Sequence, residues 1–301
     1  PRVGWNSVSN ARGLLEDILA YGAPIWATHI LNFAILNSDR FLFKAFMSGE
    51  TADRAVGLFA VATNLVDMPM MLVIQTLYFA VFPTVAFAWE AHGRDDTEKL
   101  VTGILRIMLL IGLPLVVFLA VPAHFIFSVL ARNESQAAWV VAPWVAVASF
   151  LYGMTYIANI GLHLAKRTAT LLLITIAGVA AMVLLNIVLL PRYGITGAGM
   201  TRVASNALLM SIMTVAGWRY VHVHIPWLSA IRIALAAGGM GAALYAVTVF
   251  FSPSLVALLI LCATAALSYA ALLYAFRELT IQETKDFLHF ALTKSSTNTP
   301  S

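Results

Sequence analysis

Residues 55–89 read AVGLFAVATNLVDMPMMLVIQTLYFAVFPTVAFAW, and Asp67 is the one charged residue in the run. About 20 apolar residues suffice to cross a hydrocarbon core of ~30 Å as a helix. This run is therefore a membrane span with residues to spare. Pro69 inside it predicts a kink, and Pro83 marks its end region. A charge near the bilayer midplane costs several kcal/mol and usually faces a bundle interior or a water-filled path. Asp67 is thus the first pointer to transport.

Composition agrees with the membrane reading. Hydrophobic residues make up 61% of the 301-residue chain and charged residues 11%, with a mean hydropathy of +0.87. A soluble domain of this size needs far more charge to cover its surface. The net charge of +4 does not point to nucleic acid, because the basic residues sit mostly in short loops. Cys262 lies alone in an apolar run and reads as a packing residue, with neither a disulfide framework nor a metal site around it. Residues 1–13 are polar and show no signal peptide. Pro1 stands where an initiator Met is expected, so the chain reads as a piece of a longer protein.

Seven further spans follow from the same rule, which makes the fold class an all-α polytopic membrane protein of about eight transmembrane helices. They run near 18–36, 100–121, 137–164, 169–190, 198–217, 230–250 and 255–276. Ser252-Pro253-Ser254 is the turn between the last two. The expected organisation is a polar lead-in over 1–13, six helices over 14–220, two extra helices over 221–276 and a tail over 277–301. Segments 91–101 and 278–290 mix charge with apolar residues at helical spacing and are expected to be short interfacial helices.

Basic residues in alternate loops set the orientation. One set holds Arg2, Arg12, Arg94, Lys99, Arg106, Lys166, Arg167, Arg219, Arg232, Arg277, Lys285 and Lys294; the other holds Arg40, Lys44, Arg54, Arg132, Arg192 and Arg202. Twelve against six places both termini in the cytoplasm. Trp139, Trp144, Trp218 and Trp227 fall near span ends, where interfacial aromatics belong.

Polar stripes run inside the spans. Asn64, Asp67, Met71 and Gln75 are spaced for one helical face, as are Tyr152, Tyr156, Asn159 and His163. Asn32 and Asp39 share a face on the first span, one turn after His29. Asn186, Arg202 and Asn206 mark the fifth and sixth spans. For any single Asn, interhelical hydrogen bonding is the plainer role, and a Tyr at this spacing packs more often than it binds. A charge is not needed for such bonding, so Asp67 is expected to line a solvated cavity. The last two spans lack such stripes, which places six helices around a cleft and two at the periphery. No Walker sequence, G-x-S-x-G or Cys/His metal cluster is present. Gly194–Gly199 is a loop and helix-start signal, and Gly238, Gly239 and Gly241 read as close-packing sites.

The order of several short motifs carries a resemblance. Tyr21-Gly22-Ala23-Pro24 opens a span that closes on Asp39-Arg40-Phe41-Leu42. Residues 56–62 (VGLFAVA) and Phe82-Pro83 bracket the next span, and residues 190–199 (LPRYGITGAG) follow the Asn186 span. Together they resemble the C-terminal half of bacterial polysaccharide (O-antigen, Wzx-type) flippases of the multidrug/oligosaccharidyl-lipid/polysaccharide exporter (MOP) superfamily. The resemblance covers roughly residues 14–276.

It implies two six-helix lobes facing each other across a cavity, with a pair of extra C-terminal helices. An N-terminal lobe is then missing from this chain. The implied function is movement of undecaprenyl-pyrophosphate-linked oligosaccharide to the outer leaflet of the bacterial inner membrane, in lipopolysaccharide and surface polysaccharide biosynthesis. Coupling to a proton or Na+ gradient is implied, with no bound cofactor and no enzymatic step. The implied partners are the lipid-linked oligosaccharide, the bilayer and the polysaccharide polymerase and ligase machinery. Cationic residues are expected to hold the pyrophosphate. The candidates are Arg40, Lys44, Arg54 and Arg202 towards the outer side, with Lys166 and Arg167 at the inner mouth. No Lys or Arg is expected at the centre of a span. Three alternatives stay open: a cation-coupled drug exporter, a peptidoglycan-precursor flippase, and a membrane enzyme of polysaccharide assembly. The short outer loops argue against the enzyme, and the two extra helices against the drug exporter.

Overall fold

The computed structural model describes residues 19, 22–31, 33 and 41–278. Expectations for Asn32, Asp39 and Arg40, for the lead-in and for the tail helix after Glu278 lie outside the described residues. Residues 22–31 are helical. The helices that follow are α1 (Gly49–Ala62), α2 (Met68–Ala91), α3 (Arg94–Ala120), α4 (Ala123–Leu130), α5 (Ala142–Ala158), α6 (Ile160–Leu164), α7 (Thr168–Trp218), α8 (Trp227–Phe250) and α9 (Leu255–Ala275). A π turn, Thr63–Asp67, joins α1 to α2, and a 3-10 turn, Asn133–Val140, precedes α5. No strand occurs among the described residues.

Six helical stretches in the described residues are long and apolar enough to cross a membrane. The longest of these, α7, is two helices in antiparallel arms. Gly194 between the arms has φ 57° and ψ −135°, a conformation that only glycine adopts without strain. The returning arm comes so close that a Cβ on Gly197 would lie 2.3 Å from the Leu189 carbonyl oxygen. About three turns further down, a Cβ on Gly178 would lie 2.9 Å from Leu209. These contacts fix the register of the hairpin. It places Met182 opposite Ser205 and Asn186 opposite Thr201.

Small residues also set how the arms meet the rest of the bundle. A Cβ on Gly199 would lie 2.7 Å from Trp144 Cβ, and one on Gly217 would lie 2.4 Å from the Ala158 carbonyl oxygen. The second arm therefore packs backbone-close along α5, as small residues permit in membranes. Gly153 on α5 similarly accepts Ile74 of α2.

The chain reversals at 92–93, 165–167 and 219–226 share one end of the bundle. Glu98 on α3 accepts the His222 backbone N–H at 2.7 Å and pairs with Arg94 at 2.7 Å; Arg94 also contacts the His222 ring. Nearby, Glu278 accepts from Arg106 at 2.9 Å and lies 3.7 Å from Arg232. Both α6 and α9 stop in a left-handed residue, Lys166 and Arg277. In each, the next N–H reaches back five residues, Arg167 to Leu162 O and Glu278 to Leu273 O. That is a Schellman stop with a cation where glycine is usual.

Helices α8 and α9 pack on each other and on α3. Gly239 faces Leu272 and Gly241 faces Val117, whereas Gly238 faces open space. The Tyr269 hydroxyl donates to the Leu110 carbonyl at 2.7 Å. Much of the rest of α9 is exposed, as an apolar helix facing lipid should be.

Four expectations need correction. Pro83 sits inside α2, which continues to Ala91. Segment 91–101 is not a separate interfacial helix: a turn at Gly93 leads directly into α3, whose first turns carry the charge. Acidic residues there, Asp95 and Asp96, suit a helix N-terminus. The fourth span is interrupted at Asn159, where α5 gives way to α6. Cys262 is exposed rather than packed.

Candidate functional site

Asp67 ends the π turn, directly ahead of Pro69 in the next helix. Proline crowds the carbonyl four residues back, and a wide turn gives that carbonyl room. The wide turn also changes the angular step between residues. Asn64 is consequently exposed and does not line the Asp67 cavity, contrary to the straight-helix spacing, while Met71 and Gln75 do line it.

Two elements converge on the Asp67 carboxylate. The Ser149 hydroxyl of α5 lies 2.6 Å from one carboxylate oxygen. The Arg202 guanidinium, from the second arm of α7, lies 3.8 Å from the other. Arg202 also sits 4.8 Å above the Phe59 ring of α1, a distance suited to cation–π attraction. The arginine side chain is 9% exposed and the aspartate 13%, so the pair is shielded within the bundle. Asn206, one turn after Arg202, donates to the Ala148 carbonyl at 2.9 Å and locks this arm to α5.

Arg202, expected on the sixth span towards the outer side, is thus buried rather than open at a rim. Eight residues separate Arg202 from Gly194, about 12 Å of helix. Burial in an apolar bundle requires a partner for the charge, and Asp67 provides it.

The pair borders a cavity of about 120 Å³ between α2, α5 and the two arms of α7. A second cavity of about 520 Å³ adjoins it, walled by Tyr78, Phe82, Tyr152, Tyr156, Asn159 and His163 and reached by His29 from the first helix. Gln75, Tyr152, Thr175 and Leu209 line both. The two cavities are therefore one cleft, charged at one end and aromatic at the other. Ring centroids of Tyr78 and Tyr156 are 4.8 Å apart, and those of Tyr152 and Tyr156 are 5.6 Å apart. Asn159 is buried, and its side-chain carbonyl has no hydrogen-bond partner.

Of the predicted residues, the cleft brings together Asp67, Gln75, Tyr152, Tyr156, Asn159 and Arg202. Lys166 and Arg167 are exposed at the turn between α6 and α7. Lys44 pairs with Asp53 at 3.4 Å, both exposed. Neither Lys44 nor Arg54 lines the cleft. Sequence reasoning missed Ser149, Phe59, Tyr78 and Phe82. Ser149 had a usable signal, since it stands three residues before Tyr152 on the same stripe. The contacts of Phe59 and Tyr78 are made across helices and leave no mark in spacing.

Residues 6–138 match the family described as polysaccharide biosynthesis protein. No curated protein matches the chain. Among solved structures, a MOP superfamily transporter from Pyrococcus furiosus is similar, with 16% identity, a TM-score of 0.57, 86% of this chain covered and 65% of that one. A multidrug resistance MATE family transporter of the same superfamily, in an outward-facing conformation, gives 17% identity and a TM-score of 0.57 over 86% and 65% of the two chains. The chain thus has the fold of MOP-superfamily transporters and spans 65% of the length of these two structures.

Proposed function

We propose that this chain is part of a MOP-superfamily flippase that moves a polyprenyl-pyrophosphate-linked oligosaccharide, of the undecaprenyl class, across the bacterial inner membrane. The observation that carries this reading is the continuous cleft from the Asp67–Arg202 pair to the tyrosine cluster. An amphiphile with a polar head and a long apolar tail needs a polar route for the head only, because the bilayer already solvates the tail. A guanidinium suits a pyrophosphate, and the rings of Tyr78, Tyr152 and Tyr156 offer flat faces to sugars with amide and hydroxyl groups alongside. The match to polysaccharide biosynthesis proteins over residues 6–138 supports the substrate class.

A second reading is a cation-coupled exporter of drugs, supported by the shared fold with a multidrug resistance transporter. The two separate in one experiment. Cells carrying the gene with Arg202→Gln or Tyr156→Ala should lose surface polysaccharide and accumulate lipid-linked repeat units inside, with unchanged drug susceptibility. Normal surface polysaccharide together with heightened drug sensitivity would overturn the flippase reading in favour of the exporter.

A further inference from the structure

We propose that the outward face of the α7 hairpin holds an anionic phospholipid, independently of the translocation cleft. A groove of about 580 Å³ opens between the arms near their shared end with α6. Its floor and walls include Leu162, Ile174, Ile212 and Val215, and its end is formed by Arg219 and Tyr220. No carboxylate lines it. Lys166 and Arg167, both exposed, occupy the adjoining turn at this same end of the bundle.

The placement matches a bilayer surface. Trp218, next to Arg219, and Trp227, at the start of α8, are 50% and 68% exposed, as tryptophans at the headgroup level are. From Arg219 to Ser211 the groove extends eight residues, about 12 Å of helix, from that level into the hydrocarbon. Its apolar part therefore lies at acyl-chain depth and its cationic end at phosphate depth. Basic pockets between transmembrane helices at a membrane surface suit anionic headgroups such as cardiolipin. A neutral lipid would leave the three cations without a compensating charge.

The test uses the purified protein in maltoside micelles, with thermal stability followed as lipid is added. Cardiolipin should raise the Tm saturably, while phosphatidylcholine and inorganic phosphate should not. Combining Lys166→Gln with Arg219→Gln should raise the half-saturating cardiolipin concentration about tenfold. Val215→Trp, which fills the groove without altering charge, should do the same. Arg192→Gln, an exposed cation at the opposite end, should leave the response unchanged. Equal stabilisation by phosphatidylcholine, the same shift with phosphate alone, or an intact response in both groove variants would overturn the proposal. So would tighter saturation by a polyprenyl diphosphate lost in the same variants, or a dimer that Val215→Trp converts to monomer.

Discussion

Arg202 alters what a substitution at Asp67 does. From sequence alone, Asp67→Asn removes a costly buried charge and is expected to leave folding intact. The ion pair reverses that sign, because the change removes the charge that Asp67 sets beside a shielded guanidinium. Breaking a buried pair costs about 3–5 kcal/mol, whereas replacing both partners is often close to neutral. Asp67→Asn and Arg202→Gln should each lower the thermal midpoint markedly, and the double variant should recover most of the loss. Strict additivity would show that the two side chains are not coupled. Asp67 was legible as a residue needing explanation, since it is the lone charge in residues 55–89. Its partner was not, because Arg202 lies on another helix and its position near a span end looked sufficient to explain it. Export should fail in the double variant even where folding is restored, since its cleft has lost both charges. Wild-type surface polysaccharide there would assign the pair to stability alone.

Helix by helix, the motif at 190–199 packs three separate demands into ten residues. Gly194 supplies the backbone conformation of the reversal, Gly197 the close return past Leu189, and Gly199 the approach to Trp144. Gly194→Ala should cost about 1–3 kcal/mol through backbone strain. Gly197→Ala should cost more, since its Cβ would collide with a carbonyl that belongs to a helix end. Gly238→Ala, in an exposed helical site facing open space, should be neutral or stabilising by up to about 1 kcal/mol. Thermal unfolding of the three variants in micelles checks the ranking, and an equal cost at Gly238 would refute the geometric account. Spans were legible because runs of about 20 apolar residues have one physical meaning. Boundaries were less so. Pro83 stays inside α2 and Asn159 breaks the fourth span, and neither residue type announces which it will do. The π turn before Pro69 was invisible for the same reason, and it alone displaces Asn64 from the predicted stripe.

At the scale of the whole molecule, alternation of basic residues makes a claim about orientation. Reversals at 92–93, 165–167 and 219–226 share an end that carries Arg94, Lys166, Arg167 and Arg219, while Arg192 lies at the other end. The positive-inside rule then places Lys166 in the cytoplasm and Arg192 outside. In a Cys262→Ser background, a cysteine at position 192 should react with an impermeant thiol reagent added from outside, and one at 166 should not. The opposite pattern would invert the topology.

The composition of the cleft bears on what this chain does alone. Transporters of this general kind work by rocking one half against another around a site at their interface. Here the cleft is walled by one set of helices, and Gln75 and Tyr156, each only half-buried in this chain alone, lie on the side reached by the first helix. With no second half, these groups would meet lipid, and each polar group left unpaired there costs on the order of 1–3 kcal/mol. The 301-residue chain by itself should therefore dimerise through this face or be unstable, and should not transport. Reconstitution into liposomes with a labelled polyprenyl-pyrophosphate glycolipid measures this directly, with oligomeric state read in parallel. Flipping by a demonstrably monomeric chain would show that its helices form a complete machine and that no second lobe is required.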